Sequence, residues 1–473
     1  MKKIIFTGLA LFGLFACRVL EQEPVSEITS ASFFKTAKDA DAAILACYDA
    51  LQGEPVRLVV WGEGRADVYE TNERSENNIV QIVNGNVDAA NEGFNSWNGI
   101  YRGLNRINGV LKFVPGITDA ALNARRERIL GEAYFLRALS YFYLARTFDN
   151  APLLLEPYVS TGQDFFPTQA APEQLYAQVE IDLLEAEKRL PDTYGNNLEN
   201  RGRATRAAAR TALADFYLWQ KNYPEVVRRT GEVIASPLGY RLVDRAFYGS
   251  LFTGKNTAES IFELQYDNTY LERNIVDGSV QNNGLVGQLL PLGQVTPAYP
   301  GGNWSWSPST KLRNAFAPGD LRRSATFQVT GTPATPWRDA DRVYAAKYVG
   351  TVVGPIRYQD ANLIIYRLAD VLLMRAEAQN ELGQTASALE SLNRVRTRAG
   401  LANATAATGA EIRLAIEQER FLELAFEGKR YFDLKRTGRY AAVTGRTDPN
   451  WLRWPVANSE LLINRNLQQN PGY

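Results

Sequence analysis

The sequence predicts a mainly α fold in which pairs of helices carry a loop-rich, mixed insert with short strands. Three observations lead there. Apolar residues recur at three- and four-residue spacings through most of the chain. Two segments repeat one helix-turn-helix pattern: Ala214 precedes Val226, Thr230 and Val233, and Ala376 precedes Ala388, Leu392 and Val395, at offsets of 12, 16 and 19 residues in both. Between them, residues 239–360 are rich in Gly, Pro, Asn, Ser and Thr and lack helical periodicity. The offsets match the small-residue and packing positions of tetratricopeptide repeats, which bury a shared face only by stacking. The scaffold is therefore expected to be tetratricopeptide-like.

Taken in order, the chain opens with Lys2 and Lys3, an apolar run, and Leu14-Phe15-Ala16-Cys17. A basic start, a short apolar stretch and a small residue before the cut read as a secretory signal over residues 1–16. The run falls short of the roughly 20 apolar residues that a membrane-spanning helix needs. A Cys directly after the small residue resembles the lipobox of bacterial lipoproteins, which makes Cys17 the acylated N-terminus of the mature protein. Residues 17–30 then form a lipidated tether, with Glu21, Glu23 and Pro24. Residues 31–473 read as one helical domain: a helical half at about 31–238, the loop-rich region at about 239–360, and a helical part at about 361–473.

Within that domain, helices are expected at 38–52, 94–114, 121–148 and 172–190. The second carries Trp97, Tyr101, Leu104, Ile107 and Leu111 on one stripe, and Pro191 ends the fourth. The third is apolar on nearly every side and should be the most buried. Ile261 to Tyr266 and Tyr344 to Val349 read as strands. Helical pattern returns at 363–382, 385–399 and 411–436. Cys47 lies in an apolar helical stretch and is expected to be a buried, inert thiol.

Composition limits function. The chain is 45% hydrophobic and 22% charged, which supplies an ample core. Loss of Lys2 and Lys3 with the signal leaves 50 basic against 52 acidic residues. Nucleic-acid binding normally needs a positive excess, so no nucleic-acid partner is expected. There is no histidine. Ser-His-Asp and Cys-His catalysis and His-ligated zinc are thereby removed. No cofactor is implied.

A loop-rich insert on a rigid scaffold is where recognition surfaces concentrate. In Tyr299-Pro300-Gly301-Gly302-Asn303-Trp304-Ser305-Trp306-Ser307-Pro308 three aromatics stand among residues that build no core. If the step is extended, Trp304 and Trp306 point to one side, roughly 6.5 Å apart. Such a platform suits sugar rings, with Asn303 and Tyr299 beside it. Trp337 is a second loop candidate, and Trp61 with Tyr69, between the first two helices, a third. Glu419, Arg420 and Glu423, and Glu427 with Arg430, are expected to pair with one another along a helix.

The order of segments resembles the SusD/RagB family of outer-membrane nutrient-binding lipoproteins across essentially the whole mature chain. The likeness is carried by Ser32-Phe33-Phe34-Lys35-Thr36, Trp97-Asn98-Gly99-Ile100-Tyr101-Arg102-Gly103-Leu104-Asn105-Arg106-Ile107-Asn108, Tyr366 to Ala378, Glu419 to Arg436, and the terminus Asn464 to Tyr473. It implies a non-catalytic protein, lipid-anchored at the outer membrane and facing the exterior. Such a protein captures oligosaccharide and passes it to a SusC-like TonB-dependent barrel. Peptide is the alternative cargo. A glycan-cleaving enzyme needs only two suitably spaced carboxylates, which no sequence spacing identifies.

Overall fold

The computed structural model describes residues 33–160, 162–267, 289, 304–330, 342–358 and 360–473. The fold is mainly helical. Cys17, Tyr299, Asn303 and Trp337 lie outside the described residues.

Helix α1 (Ala37–Gln52) begins at a capping box, in which the Thr36 side chain accepts the Asp39 N–H and the Asp39 carboxylate accepts the Thr36 N–H. Its buried face, Ala40, Ile44, Cys47 and Leu51, follows the helical period. Helix α2 (Pro55–Glu63) and helix α3 (Asn77–Asn84) come next. Helix α4 (Asn98–Phe113) packs across α1. Helix α5 (Arg126–Phe148) is buried almost throughout its length, as its all-round apolar pattern required. Helix α6 (Pro172–Arg189) lies on it, tied by a buried bidentate pair between Arg137 and Asp182 at 2.8 Å.

The repeated pattern becomes two helix hairpins. The first joins α7 (Arg206–Trp219) to α8 (Tyr223–Ile234), and the second joins α9 (Leu368–Glu381) to α10 (Thr385–Arg398). All eight matched residues are fully buried. The turns are equivalent too: the Asn222 N–H donates to the Tyr217 carbonyl and the Gln384 N–H to that of Gln379, both at 2.8 Å. Helix α7 packs on α6, α8 on α9, and α11 (Gly409–Glu423) on both α9 and α10, so the pairs stack in sequence.

Among the described residues the strands form four two-stranded antiparallel pairs. β1 (Tyr69–Glu70) pairs with β3 (Ser307–Pro308), β2 (Ser260–Leu264) with β8 (Leu363–Arg367), β4 (Phe327–Thr330) with β5 (Arg342–Ala345), and β6 (Val352–Val353) with β7 (Ile356–Arg357). β2 and β8 are buried at every residue, the polar Ser260, Glu263 and Arg367 included. One core cluster runs from Ala37 to Val456 and takes in the helices with β1, β2, β4, β5 and β8. No helix among the described residues is long and apolar enough to cross a membrane.

Several expectations are corrected. The helix expected at 363–382 is a strand followed by a helix, because Leu363 to Arg367 pairs with β2. The helix expected at 411–436 ends at Glu423 and resumes as α12 (Arg430–Arg436). Phe426 and Gly428 between them both take left-handed φ, at 70° and 71°. The strand near 344–349 starts and ends earlier, at Arg342–Ala345. Helices α2 and α3 were not expected at all.

Candidate functional site

The insert is rooted on the scaffold at the β1–β3 pair. Tyr69 faces Pro308 and Glu70 faces Ser307. Small hydroxyl side chains alternate along the incoming strand, and the scaffold uses the backbone and side chains of that stretch. The Asn72 side-chain amide donates to the Trp304 carbonyl at 2.9 Å and to Ser307 Oγ at 2.7 Å. Ser75 Oγ donates to the Ser305 carbonyl at 2.8 Å, and Ser309 Oγ to that of Asp67 at 2.7 Å. The Ser309 N–H donates to the Val68 carbonyl at 2.8 Å. This clamp was not anticipated from the sequence: the alternation of Ser305, Ser307 and Ser309 is its one trace there, and Asn72 and Ser75 carry none.

The aromatic residues expected to hold ligand are placed differently. Trp61, Tyr69, Trp304 and Trp306 are at most 5% exposed, so none offers an open ring face. Trp61 lies inside α2 rather than in a loop. Its Nε1 donates to the Phe94 carbonyl at 2.8 Å, and its ring meets Phe148 edge-on at 5.2 Å. Trp306 packs on Tyr69 at 5.1 Å and on Phe94 at 5.9 Å. The platform assigned to Trp304 and Trp306 is therefore corrected: burying such large rings is worth more than leaving them in water, and they plug the insert onto the helices.

Trp304 does more than fill space. Its Nε1 donates to the Val343 carbonyl at 2.8 Å. In sequence Trp304 directly follows Asn303, and Val343 comes six residues after Trp337. One hydrogen bond thus fastens the chain at two points close in sequence to Asn303 and Trp337. Trp304 has a φ of 48°, a conformation that a bulky residue adopts only when its surroundings impose it.

Below this junction the chain is packed to the limit. A Cβ on Gly62 would lie 1.8 Å from the Gly428 carbonyl oxygen, so α2 can pass that turn only at glycine. Next to it, Glu63 is fully buried and accepts the Glu427 N–H at 3.2 Å. Burial pushes its carboxyl up to about 8, against the opposing charge of Lys347. Burial, then the Glu63 charge, also push the Tyr69 phenol well above its ordinary value. Asp67 behaves oppositely. Burial raises its carboxyl, but hydrogen bonds and charge from Arg430 and Lys311 outweigh burial and hold it below the usual range.

The ion pairs expected along one helix are instead made between distant elements. Arg367, at the end of β8, binds Glu259 and Glu427 at 2.8 Å and also Glu423. Lys347 binds Glu427 at 2.7 Å, Arg420 binds Asp370 and Asp433, and Arg430 binds Asp67. Glu419 pairs with Arg322 and Arg396. Glu423, shared by three arginines, is pushed up by burial yet held well below its ordinary value by Arg398, Arg367 and Arg322. These charges fasten the insert and the C-terminal helices together and leave no carboxylate pair open for chemistry in this network.

Comparison with known proteins agrees with this architecture. Residues 294–451 match the model of the SusD family, and residues 20–218 match a family described as starch-binding and associating with the outer membrane. SusD-like protein P38 of Formosa agariphila is 27% identical over 515 aligned positions, which take in 100% of this chain and 99% of that one. Starch-binding protein SusD of Bacteroides thetaiotaomicron is 25% identical over 446 positions, 78% of this chain and 76% of its own. Among solved structures, a laminarin-binding SusD-like protein superposes with a TM-score of 0.79 at 28% identity, over 93% of this chain and 100% of that one. The two family matches meet the same scaffold from its N-terminal helices and from its insert and C-terminal helices, and the chain belongs to the SusD/RagB family of glycan-binding proteins.

Proposed function

We propose that this protein is a lipid-anchored, non-catalytic capture protein for oligosaccharide at the outer membrane, exposed to the exterior, which delivers its cargo to a TonB-dependent barrel of the SusC type. The observation that carries this reading is the end-to-end likeness to a laminarin-binding protein, at 28% identity and a TM-score of 0.79. Residues 1–16 are then the signal peptide, Cys17 the acylated residue and 17–30 the tether of a single domain over 31–473. The ligand contacts are assigned to Tyr299, Asn303 and Trp337, which lie near Trp304 and Val343 in sequence. Capture that must be followed by release calls for weak binding, with dissociation constants roughly between 1 μM and 1 mM.

Affinity electrophoresis through gels containing laminarin or starch tests the cargo. The mature protein is expected to be retarded by one of them, and Tyr299→Ala and Trp337→Ala to run freely with unchanged melting temperatures. Equal mobility with and without either glycan, alongside stabilisation by peptides, defeats the glycan reading. Mass spectrometry of membrane-extracted protein checks the anchor: the N-terminal peptide should carry acyl chains on Cys17, and Cys17→Ser should release the protein.

A further inference from the structure

A groove of about 480 Å3 opens where three distant segments meet: the first half of α4, residues 152–167, and the short helix α13 (Asn458–Ile463). Its floor is Trp97 and Tyr101, whose hydroxyl donates to the Pro152 carbonyl at 2.6 Å. Its wall is a pair of rings: Tyr158 stacks on Phe165 with centroids 5.0 Å apart and planes 25° apart. Asn105 holds that wall by accepting the Tyr158 N–H at 2.7 Å, and Asn464 ties the opposite lip to the Pro167 carbonyl at 2.7 Å. Phe165 and Phe166 are 46% and 51% exposed, and Leu462 and Ile463 stand further out. Apolar surface gathered in this way marks an interaction site, and the volume suits a small ligand.

The polar groups inside decide the occupant. The Asn98 side-chain amide, the Arg102 guanidinium, Asn105 Nδ2 and the Tyr158 hydroxyl line the groove, and none has a hydrogen-bond partner among the described residues. An apolar protein surface seated here would bury them unpaired, which is costly. A sugar ring meets both demands, because its C–H face lies on an aromatic ring while hydroxyls project from its rim. We propose that this groove is a second carbohydrate-binding site, which holds part of a neutral oligosaccharide on the Tyr158–Phe165 pair with Asn98, Arg102 and Asn105 as hydroxyl partners. The site rests on the glycan reading above but uses none of the insert residues.

Hydrogen exchange of the mature protein with laminarihexaose or maltohexaose tests it. Protection is expected in peptides within 98–108 and 154–167, and Tyr158→Ala/Phe165→Ala should weaken binding there about tenfold or more. Should that variant alter the melting temperature, Asn98→Ala/Arg102→Ala, at exposed positions, replaces it with the same expectation. Protection confined to peptides spanning 289–310 overturns the second site while leaving glycan capture intact. Protection in the groove that both variants leave unchanged also overturns it. No protection anywhere, with either sugar, defeats the glycan reading and this site with it.

Discussion

Glu63 is the residue whose environment departs furthest from what its neighbours in sequence suggest. Trp61-Gly62-Glu63-Gly64 looks like a polar-aromatic loop, yet each member is buried, with Gly62 against the Gly428 carbonyl. The folded protein holds the Glu63 proton more tightly than the unfolded chain, since burial raises its carboxyl from 4.5 to about 8. The associated stability is complete below about pH 4.5 and is lost as the pH rises through 8. Glu63→Gln, which fixes the neutral form, should therefore flatten the decline of unfolding free energy between pH 5 and 8, by up to about 1.4 kcal/mol per pH unit. Urea titrations at several pH values measure it, and parallel slopes in wild type and variant would refute the assignment. Cys47 was legible, because a thiol on an apolar helical stripe has nowhere else to go; it donates to the Ala43 carbonyl at 3.2 Å, and burial pushes its thiol up. Trp304 and Trp306 were not legible. Composition places them in a loop, but only tertiary contact reveals that Tyr69, Phe94 and Val343 close over them.

At the level of elements, the two hairpins show how one turn tolerates different residues. Gly383 takes a φ of 73° where α9 ends, and Lys221, seven residues after the leading alanine in each case, takes 59° where α7 ends. A left-handed backbone costs a lysine about 1–2 kcal/mol that glycine escapes, less the extra entropy glycine loses on folding. Lys221→Gly should stabilise the protein by about 0.5–1 kcal/mol, read from the urea midpoint. A loss of stability would show that the lysine side chain matters more than its backbone. Arg367 poses the opposite case, one side chain holding β2, β8 and the turn before α12. Arg367→Met would leave Glu423 and Glu427 short of their main partner, at a cost of about 3–5 kcal/mol. A change under 1 kcal/mol would mean that Lys347, Arg322 and Arg398 suffice. Helical pairs were legible because periodicity and the repeated offsets agree. Leu363 to Arg367 was not, since a short apolar run reads equally as buried helix or buried strand until its partner, a hundred residues away, is known.

Over the whole molecule, the chain returns to seal what it built early. The Asn470 side-chain amide donates to the Phe148 carbonyl at 2.8 Å and to that of Trp454 at 2.7 Å. The Trp454 N–H donates to the Thr147 carbonyl at 2.9 Å. The last carbonyls of α5 thus find their partners in the final residues of the sequence. Asn470→Ala should cost about 2 kcal/mol, and unfolding should remain one transition by fluorescence and circular dichroism alike. A separate early transition would mean that the C-terminal segment is an independent flap. The groove between α4 and α13 illustrates why function was only partly legible at this scale. Asn98, Tyr158 and Asn464 share no local pattern, and only the folded chain brings them to one cleft. What the Trp304–Val343 hydrogen bond permits is a change of loop length. It pins two points of the chain that are 39 residues apart in sequence. Doubling such a loop adds only about 0.6 kcal/mol of closure entropy. An insertion between those two points should therefore cost little stability, while the helical stack stays as it is.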